Sequence, residues 1–313
     1  MALGLRRGTV TTVGEAGERL VRLEVDGIPC IAYARLTGPV EVGDEVLVNE
    51  QARLLELGSG GFDVLYANLT RGLGLQPQES AHVTALPYTP GQVTVCYKEE
   101  SAELATTLAG LPVVLCTLHS QVAPVCAALG GFRVAYVQVQ GGALPVSLSD
   151  TVRTLQNRGL LGVAIAVAPC LDGDLEFVTV AAALAWAARE DYDAVVCALG
   201  PGIVGTGSRL GTGALSLADA ANVATALGGR PVLAVRRSEA DPRERHRGTS
   251  HHTEAVLDLC LGRIVTADED AGEGWEEACA DLPLSHMDRG AADDPIFFRS
   301  AYAAGLAARE LLG

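Results

Sequence analysis

A chain of 313 residues can bury one large core with a smaller one beside it. Its formal charge of −15 excludes the broad basic face that nucleic acid or an anionic membrane would require. Lys98 is the only lysine and no Gly-Lys-Ser/Thr occurs, which excludes a phosphate-binding lysine of the Walker type.

Apolar residues make up 49% of the chain and aromatics only 4%, so the filling is Ala, Val and Leu, as in sheets flanked by helices. Apolar runs such as Leu161 to Leu171 fall short of the roughly 20 residues that span a bilayer. The start, MALGLRRGTVTTV, lacks the apolar core of a signal peptide. Eight cysteines are scattered without any C-x-x-C, the pattern of buried thiols in a reducing compartment. These features predict a soluble cytoplasmic protein.

Residues 1–85 predict a small all-β module. Stretches rich in Val, Thr and Ile (GTVTTVG, RLVRLEVDG, IPCIAYAR, VGDEVLVN, FDVLYANL) alternate with turn signals, and Asp26-Gly27 marks a hairpin. Such strands in so short a span predict a barrel-like fold. The module is neither basic nor aromatic enough for a nucleic-acid surface, so it is expected to be structural or to contact a partner.

From residue 86 to 313 the rhythm is that of an α/β layered domain carrying the ligand site. QVTVCY, LPVVLCTL, FRVAYVQV, VAIAVA, YDAVVCAL, RPVLAVR and GRIVTA are short, nearly all-apolar runs. Helical stretches separate them: SAELATTLAG, LSDTVRTLQNRG, FVTVAAALAWAARE and LSLADAANVATALGG, with SAYAAGLAARELLG at the end. Continuous apolar strands alternating with helices predict a doubly wound, mainly parallel sheet covered on both faces. Such sheets bind ligands beyond the carboxyl ends of their strands.

Unusual residues cluster at those ends. Gly200 to Gly213 holds six glycines in fourteen residues between a strand and a helix, a composition suited to an anion cradle of backbone N–H groups. Gly202, Gly205, Thr206, Gly207 and Arg209 are its candidate contacts. Gly200-x-Gly202-x-x-Gly205 also fits the dinucleotide fingerprint, with Arg236 and Arg237 placed for a 2′-phosphate, although Pro201 removes a donor and the helix begins late.

The next strand leads into RRSEADPRERHRGTSHHTE, Arg236 to Glu254, with five arginines and three histidines in nineteen residues. Arg243, Arg245, His246, Arg247 and Ser250 are candidate ligand contacts, and guanidinium groups grip phosphate bidentately. The bland alternative for the arginines is an ion network with Glu239, Asp241 and Glu244. Thr249 or Ser250 fits a helix N-cap, which puts His251 and His252 in the first turn, where the dipole and the arginines favour neutral imidazole. His251, His252, His119 and Asp174 are the candidate catalytic groups. No metal site is assigned, because adjacent histidines on a helix diverge by about 100° and ligation would need His119, His246 or Asp174 as a partner. His119-Ser120, Gln140 to Pro145 and Asp172 to Glu176 also fall at strand ends, where turn and cap duties are the commoner fate of such residues.

LGSGGFDVLYANLTRGLG, LPYTPGQ, LHSQVAPV, GGALPVSLSD, DGDLE, GPGIVGTGSRLGTG and LGGRPVLAVRRSEADPRERHRGTSHHT together make the chain resemble the bacterial family known as domain of unknown function 3866, over nearly its whole length. The resemblance implies a cytoplasmic protein without an assigned activity. It also implies Thr-Asp where this chain has Val139-Gln140, and a histidine where it has Pro169-Cys170, so chemistry resting on those residues would be altered here.

The leading expectation is a small anionic, phosphate-bearing ligand held between the glycine loop and the HRGTSHH segment, with a hydrolase or transferase acting on a nucleotide or phosphoester. A non-catalytic metabolite sensor or scaffold and an NADP-dependent oxidoreductase are the alternatives. The sequence names no cofactor and is compatible with a homo-oligomer.

Overall fold

The computed structural model describes residues 2–17, 19–56, 60–76, 80–267 and 271–313. The chain divides into two compact units, 1–96 and 97–313.

In the first unit, β1 (Leu5–Ala16), β2 (Leu20–Val25), β3 (Ile28–Tyr33), β4 (Glu45–Asn49) and β5 (Asp63–Asn68) close a barrel in the order β1-β2-β3-β5-β4. Val10, Leu23, Val25, Val46, Val48 and Leu65 fill its interior. Asp26 and Gly27 turn β2 into β3 with φ of 54° and 77°, the doubly positive backbone a two-residue hairpin of right-handed twist needs. Single helical turns, α1 (Ala34–Thr37) and α2 (Gln51–Leu54), lie between strands. The buried Asp63 carboxylate accepts from Arg6 Nη2 at 3.1 Å and Arg53 Nε at 2.7 Å.

QVTVCY departs from expectation. Its strand, β7 (Val93–Val95), folds back antiparallel on β6 (Val83–Ala85) rather than entering the large sheet. The short LPYTPGQ connection permits a hairpin, whereas a parallel pair needs a crossover of a dozen residues or more.

The second unit is a seven-stranded, all-parallel sheet. Its strands are β8 (Pro112–Cys116), β9 (Val134–Val139), β10 (Val163–Val167), β11 (Leu175–Phe177), β12 (Ala194–Leu199), β13 (Arg230–Ala234) and β16 (Val265–Thr266), in the order β11-β10-β9-β12-β8-β13-β16. Strands β8, β9, β10 and β12 are buried at every position, as their unbroken apolar runs require.

Alternation along these strands sends Val113, Leu115, Val137, Ile165 and Cys197 to one face, under α5 (Val180–Arg189) and α6 (Ser216–Ala226). Val114, Cys116, Tyr136, Ala164 and Val196 face the other way, under α3 (Val122–Ala128), α4 (Asp150–Asn157) and α9 (Pro295–Glu310). Small residues let α9 approach α3: a Cβ on Gly305 would lie 2.6 Å from the Val125 carbonyl oxygen. Ser149 and Thr179 cap α4 and α5 by accepting from Val152 N and Ala182 N.

SAELATTLAG forms turns rather than the predicted helix. Its N–H groups bond elsewhere: Ala105 to Ala185 O within α5, and Leu108 to Leu227 O and Gly110 to Gly228 O just past the end of α6. All eight cysteines are free and six are buried. Among the described residues no helix is long and apolar enough to cross a membrane.

Candidate functional site

Helices on opposite faces follow β9 and β12, although the two strands are neighbours, so the topology switches at their carboxyl ends, where sheets of this kind hold ligands. The loops after β8, β9, β12 and β13 gather there. His119, just after β8, bridges them: Nδ1 meets Leu199 O at 2.9 Å and Nε2 meets Ser149 Oγ at 2.6 Å. Burial pushes its imidazole down to about 4, against the pull of the Leu199 carbonyl.

Glycines let the β9 and β12 loops touch backbone to backbone. A Cβ on Gly142 would overlap the Gly200 carbonyl oxygen, and one on Gly141 would lie 2.6 Å from Gly213 O. Gln138, buried in β9, holds the turn by donating from Nε2 to Ala143 O and Leu144 O at 3.0 and 2.9 Å.

Beyond this contact the glycine loop is a small exposed hairpin. Thr206 N donates to Gly211 O and Gly213 N to Val204 O, both at 2.7 Å, while Val204 N donates to Gly141 O. The N–H groups of Gly202, Gly205 and Gly207 take no part in these bonds. Gly202 has φ of 68°, a conformation that favours glycine.

The histidine segment reaches the same hairpin. β14 (Arg237–Ser238) and β15 (Gly248–Thr249) form a two-rung antiparallel clasp, and Ser250 N donates to Arg236 O. The clasp folds residues 239–247 into a closed loop, whose 3-10 turn at Glu244–His246 carries His246 back over the start of α7 (His251–Leu259). Ser250 is the N-cap of α7, accepting from His252 N.

Here His246, His251 and His252 converge. The ring centroids of His246 lie 5.2 Å from His251 and 5.1 Å from His252, and the last two stack at 4.1 Å. The expected divergence of the adjacent pair does not occur, because the side chains lean together at the helix start. His252 Nε2 lies 3.2 Å from Ser208 O in the glycine hairpin, and a Cβ on Gly205 would lie 3.8 Å from His252 Cε1. His246 Nδ1 lies 2.8 Å from Ser250 Oγ, and His251 Nε2 is buried without a hydrogen-bond partner among the described residues.

All three imidazoles are held below their ordinary value. Burial, then Arg236 and Arg243, push His246 down to about 3. Burial and Arg245 lower His251, while burial, His251, Arg236 and Arg245 lower His252. Neutral imidazole is therefore the resting form, as the sequence predicts.

The arginines divide. Arg243 binds Asp241 through Nε and Nη2, both at 2.9 Å, and the buried Arg236 reaches the same carboxylate at 2.9 Å. Arg289 stands 3.6 Å from Asp241 and 3.5 Å from Asp294, whose Oδ2 accepts from Ser238 Oγ at 2.5 Å. Burial pushes the Asp241 carboxyl up, but the bonds and charge of Arg243 and the charge of Arg236 outweigh it and hold it well below the carboxylate range. Arg236 and Arg243 thus belong to a buried ion network with Asp241 at its centre. Arg247 reaches the Asp241 carbonyl at 3.5 Å, and Arg209 pairs with Asp258 of α7. Arg245 is exposed and makes no ion pair among the described residues.

The structure therefore brings together Gly205, Ser208, Arg245, His246, Ser250, His251 and His252. Asp174 lies elsewhere. Its Oδ2 accepts from Ala164 N at 2.8 Å, and its own N–H donates to Ala164 O, which puts it beside the amino-terminal end of β10. The chain must run back to that end before β11 can pair in parallel, with Leu175 opposite Ile165.

Sequence reasoning missed His286, Arg289 and Asp294. His286 stacks on Phe297 at 3.9 Å, meets Ser120 Oγ through Nδ1 at 3.2 Å, and is pushed down to about 3 by burial, Arg236 and Arg289. Nothing in LSHMDRG distinguishes it from an ordinary polar loop. A recess of about 410 Å³ lined by Thr225, Arg230, Arg263 and Val265 lies at the opposite ends of the strands and holds none of these groups.

Fold and site together define an α/β protein with a helix-covered, all-parallel sheet preceded by a five-stranded barrel, with His246, His251 and His252 gathered beyond the strand ends. The family model described as "Protein of unknown function (DUF3866)" matches residues 29–270, and the chain belongs to that family. A comparison with curated proteins finds no match. The matched span ends before His286, Arg289 and Asp294.

Proposed function

We propose that the strand-end region binds a small phosphate-bearing anion between the glycine hairpin and the Arg245–His252 segment, and that the chain is a hydrolase or transferase acting on a phosphoester or nucleotide. One observation carries this reading: the hairpin of Gly205 and Ser208 sits against His252, and Arg245 acts on both His251 and His252. Exposed amides, a guanidinium without an ion pair and neutral imidazoles are the groups a phosphoester site needs. Arg243 is committed to Asp241, so charge neutralisation falls to Arg245, with Arg247 beside it. The free thiols fit a reducing, cytoplasmic setting.

The NADP reading has less support. A hairpin rather than a helix follows Gly205, and Arg236 is locked on Asp241 instead of facing a 2′-phosphate.

Thermal-shift measurement against inorganic phosphate, sugar phosphates and nucleotides tests the proposal. Ligand at about 100 times its Kd stabilises by about 2.7 kcal/mol, and Arg245→Ala should remove most of the shift. No shift with any of these compounds, or one indifferent to Arg245→Ala, would reject it. Single His251→Ala and His252→Ala variants that keep binding but lose turnover would identify an enzyme. Unchanged function in both would instead favour the sensor.

A further inference from the structure

We infer that His246, His251 and His252 form a three-histidine binding site for a nitrogen-preferring divalent cation of the zinc type, with a fourth, open position left to a ligand from outside the chain. One nitrogen from each ring can be chosen so that all three lie within 4.8 Å of one another. A tetrahedral ion with zinc–nitrogen bonds of 2.0–2.1 Å sets imidazole centroids roughly 5 Å apart. The His246 pairs stand at 5.2 and 5.1 Å and the stacked His251–His252 pair at 4.1 Å, so that pair has to open by about 1 Å while the ligating nitrogens close in on the ion.

Two details of bonding fit the same use. When His246 Nδ1–H donates to Ser250 Oγ, Nε2 carries the lone pair, the outer hydrogen bond that ligating histidines usually make. His251 Nε2 is buried with no hydrogen-bond partner among the described residues, and a buried polar atom in that state calls for a water or ion.

The positive surroundings disfavour a bare cation but favour one whose fourth ligand is an anion, such as hydroxide or a phosphate oxygen. In that state the histidines would act as ligands, and proton transfer would pass to water at the open position, whose acidity the ion raises. The site overlaps that of the anion reading but does not depend on its ligand.

The test titrates the full-length, chelator-treated protein with zinc, cobalt and magnesium salts in phosphate-free buffer, by calorimetry and, for cobalt, by visible absorption. One equivalent of zinc should bind at micromolar affinity or tighter, with magnesium ignored. His251→Ala, at a half-buried position, should weaken zinc by about 100-fold or more, beyond the roughly 10–100-fold expected of Ser250→Ala. Cys96→Ser and Cys260→Ser should leave affinity unchanged. Circular dichroism confirms that each variant is folded, and His246→Gln provides a second ligand variant. Absence of zinc binding, undiminished affinity in the folded His251 and His246 variants, a thiolate charge-transfer band with cobalt, or equal binding of magnesium would each overturn the site. With phosphate absent, such a failure leaves the anion reading to its own experiment.

Discussion

His119 shows how one side chain can both brace the site and set its response to acid. Both ring nitrogens are engaged, one on Leu199 O and one on Ser149 Oγ, and burial places its folded value at about 4. The unfolded imidazole titrates near 6.5, so the unfolded chain takes up the proton first as pH falls. Stability from this group is intact above about 6.5, is lost progressively down to about 4, and changes no further below; the total is roughly 3 kcal/mol. His246 and His286, both near 3, fall off over a longer stretch of the same range. His119→Gln should therefore cost more at about pH 7.5 than at about pH 4.5 in urea denaturation, with the difference narrowing by roughly that amount. An equal penalty at both values would show that His119 does not titrate in this window.

At the scale of elements, the glycines divide by what surrounds them. Gly142→Ala forces a Cβ into the Gly200 carbonyl and must push the β9 and β12 loops apart, at a cost of about 1–3 kcal/mol. Gly207→Ala meets nothing within 4 Å and should stay within about 0.5 kcal/mol of wild type. Melting curves of the two variants check the contrast, and a Gly142→Ala protein as stable as Gly207→Ala would show that the loops are not held by close contact. The sequence flags Gly200 to Gly213 as an anion cradle and Gln140 to Pro145 as a strand-end turn; only the fold shows that the two meet through their glycines.

The strands were legible because a sheet covered on both faces demands nearly unbroken apolar runs, α4 and α5 because helical stretches separate those runs, and α7 because Thr249-Ser250 marks its start. Helix α3 was not, since VAPVCAA is buried at six of its seven positions and carries no polar stripe. SAELATTLAG misled for the opposite reason: its local propensity is helical, but its N–H groups find partners on α5 and just past the end of α6. Convergence of the three histidines was hidden because a helical wheel treats His251 and His252 as fixed spokes and says nothing of a loop that returns His246 to them.

Across the whole molecule, each unit has its own interior. Residues 97–313 carry both cores of the parallel sheet, and the barrel of the first unit encloses a separate one. Residues 97–313 expressed alone should unfold cooperatively in urea, with the m-value of a domain of that size. A broad, non-cooperative transition would mean that the α/β unit requires the barrel. The strand order carries a further consequence. β8 and β9 are each flanked by β12, which the ribosome delivers only after α3, α4, β10, β11 and α5 have left the exit tunnel. Until then two of the most apolar segments in the chain each lack a neighbour, presenting the raw strand margins that invite aggregation during synthesis. For this protein the hazardous moment of biogenesis is thus set by the late arrival of its central strand.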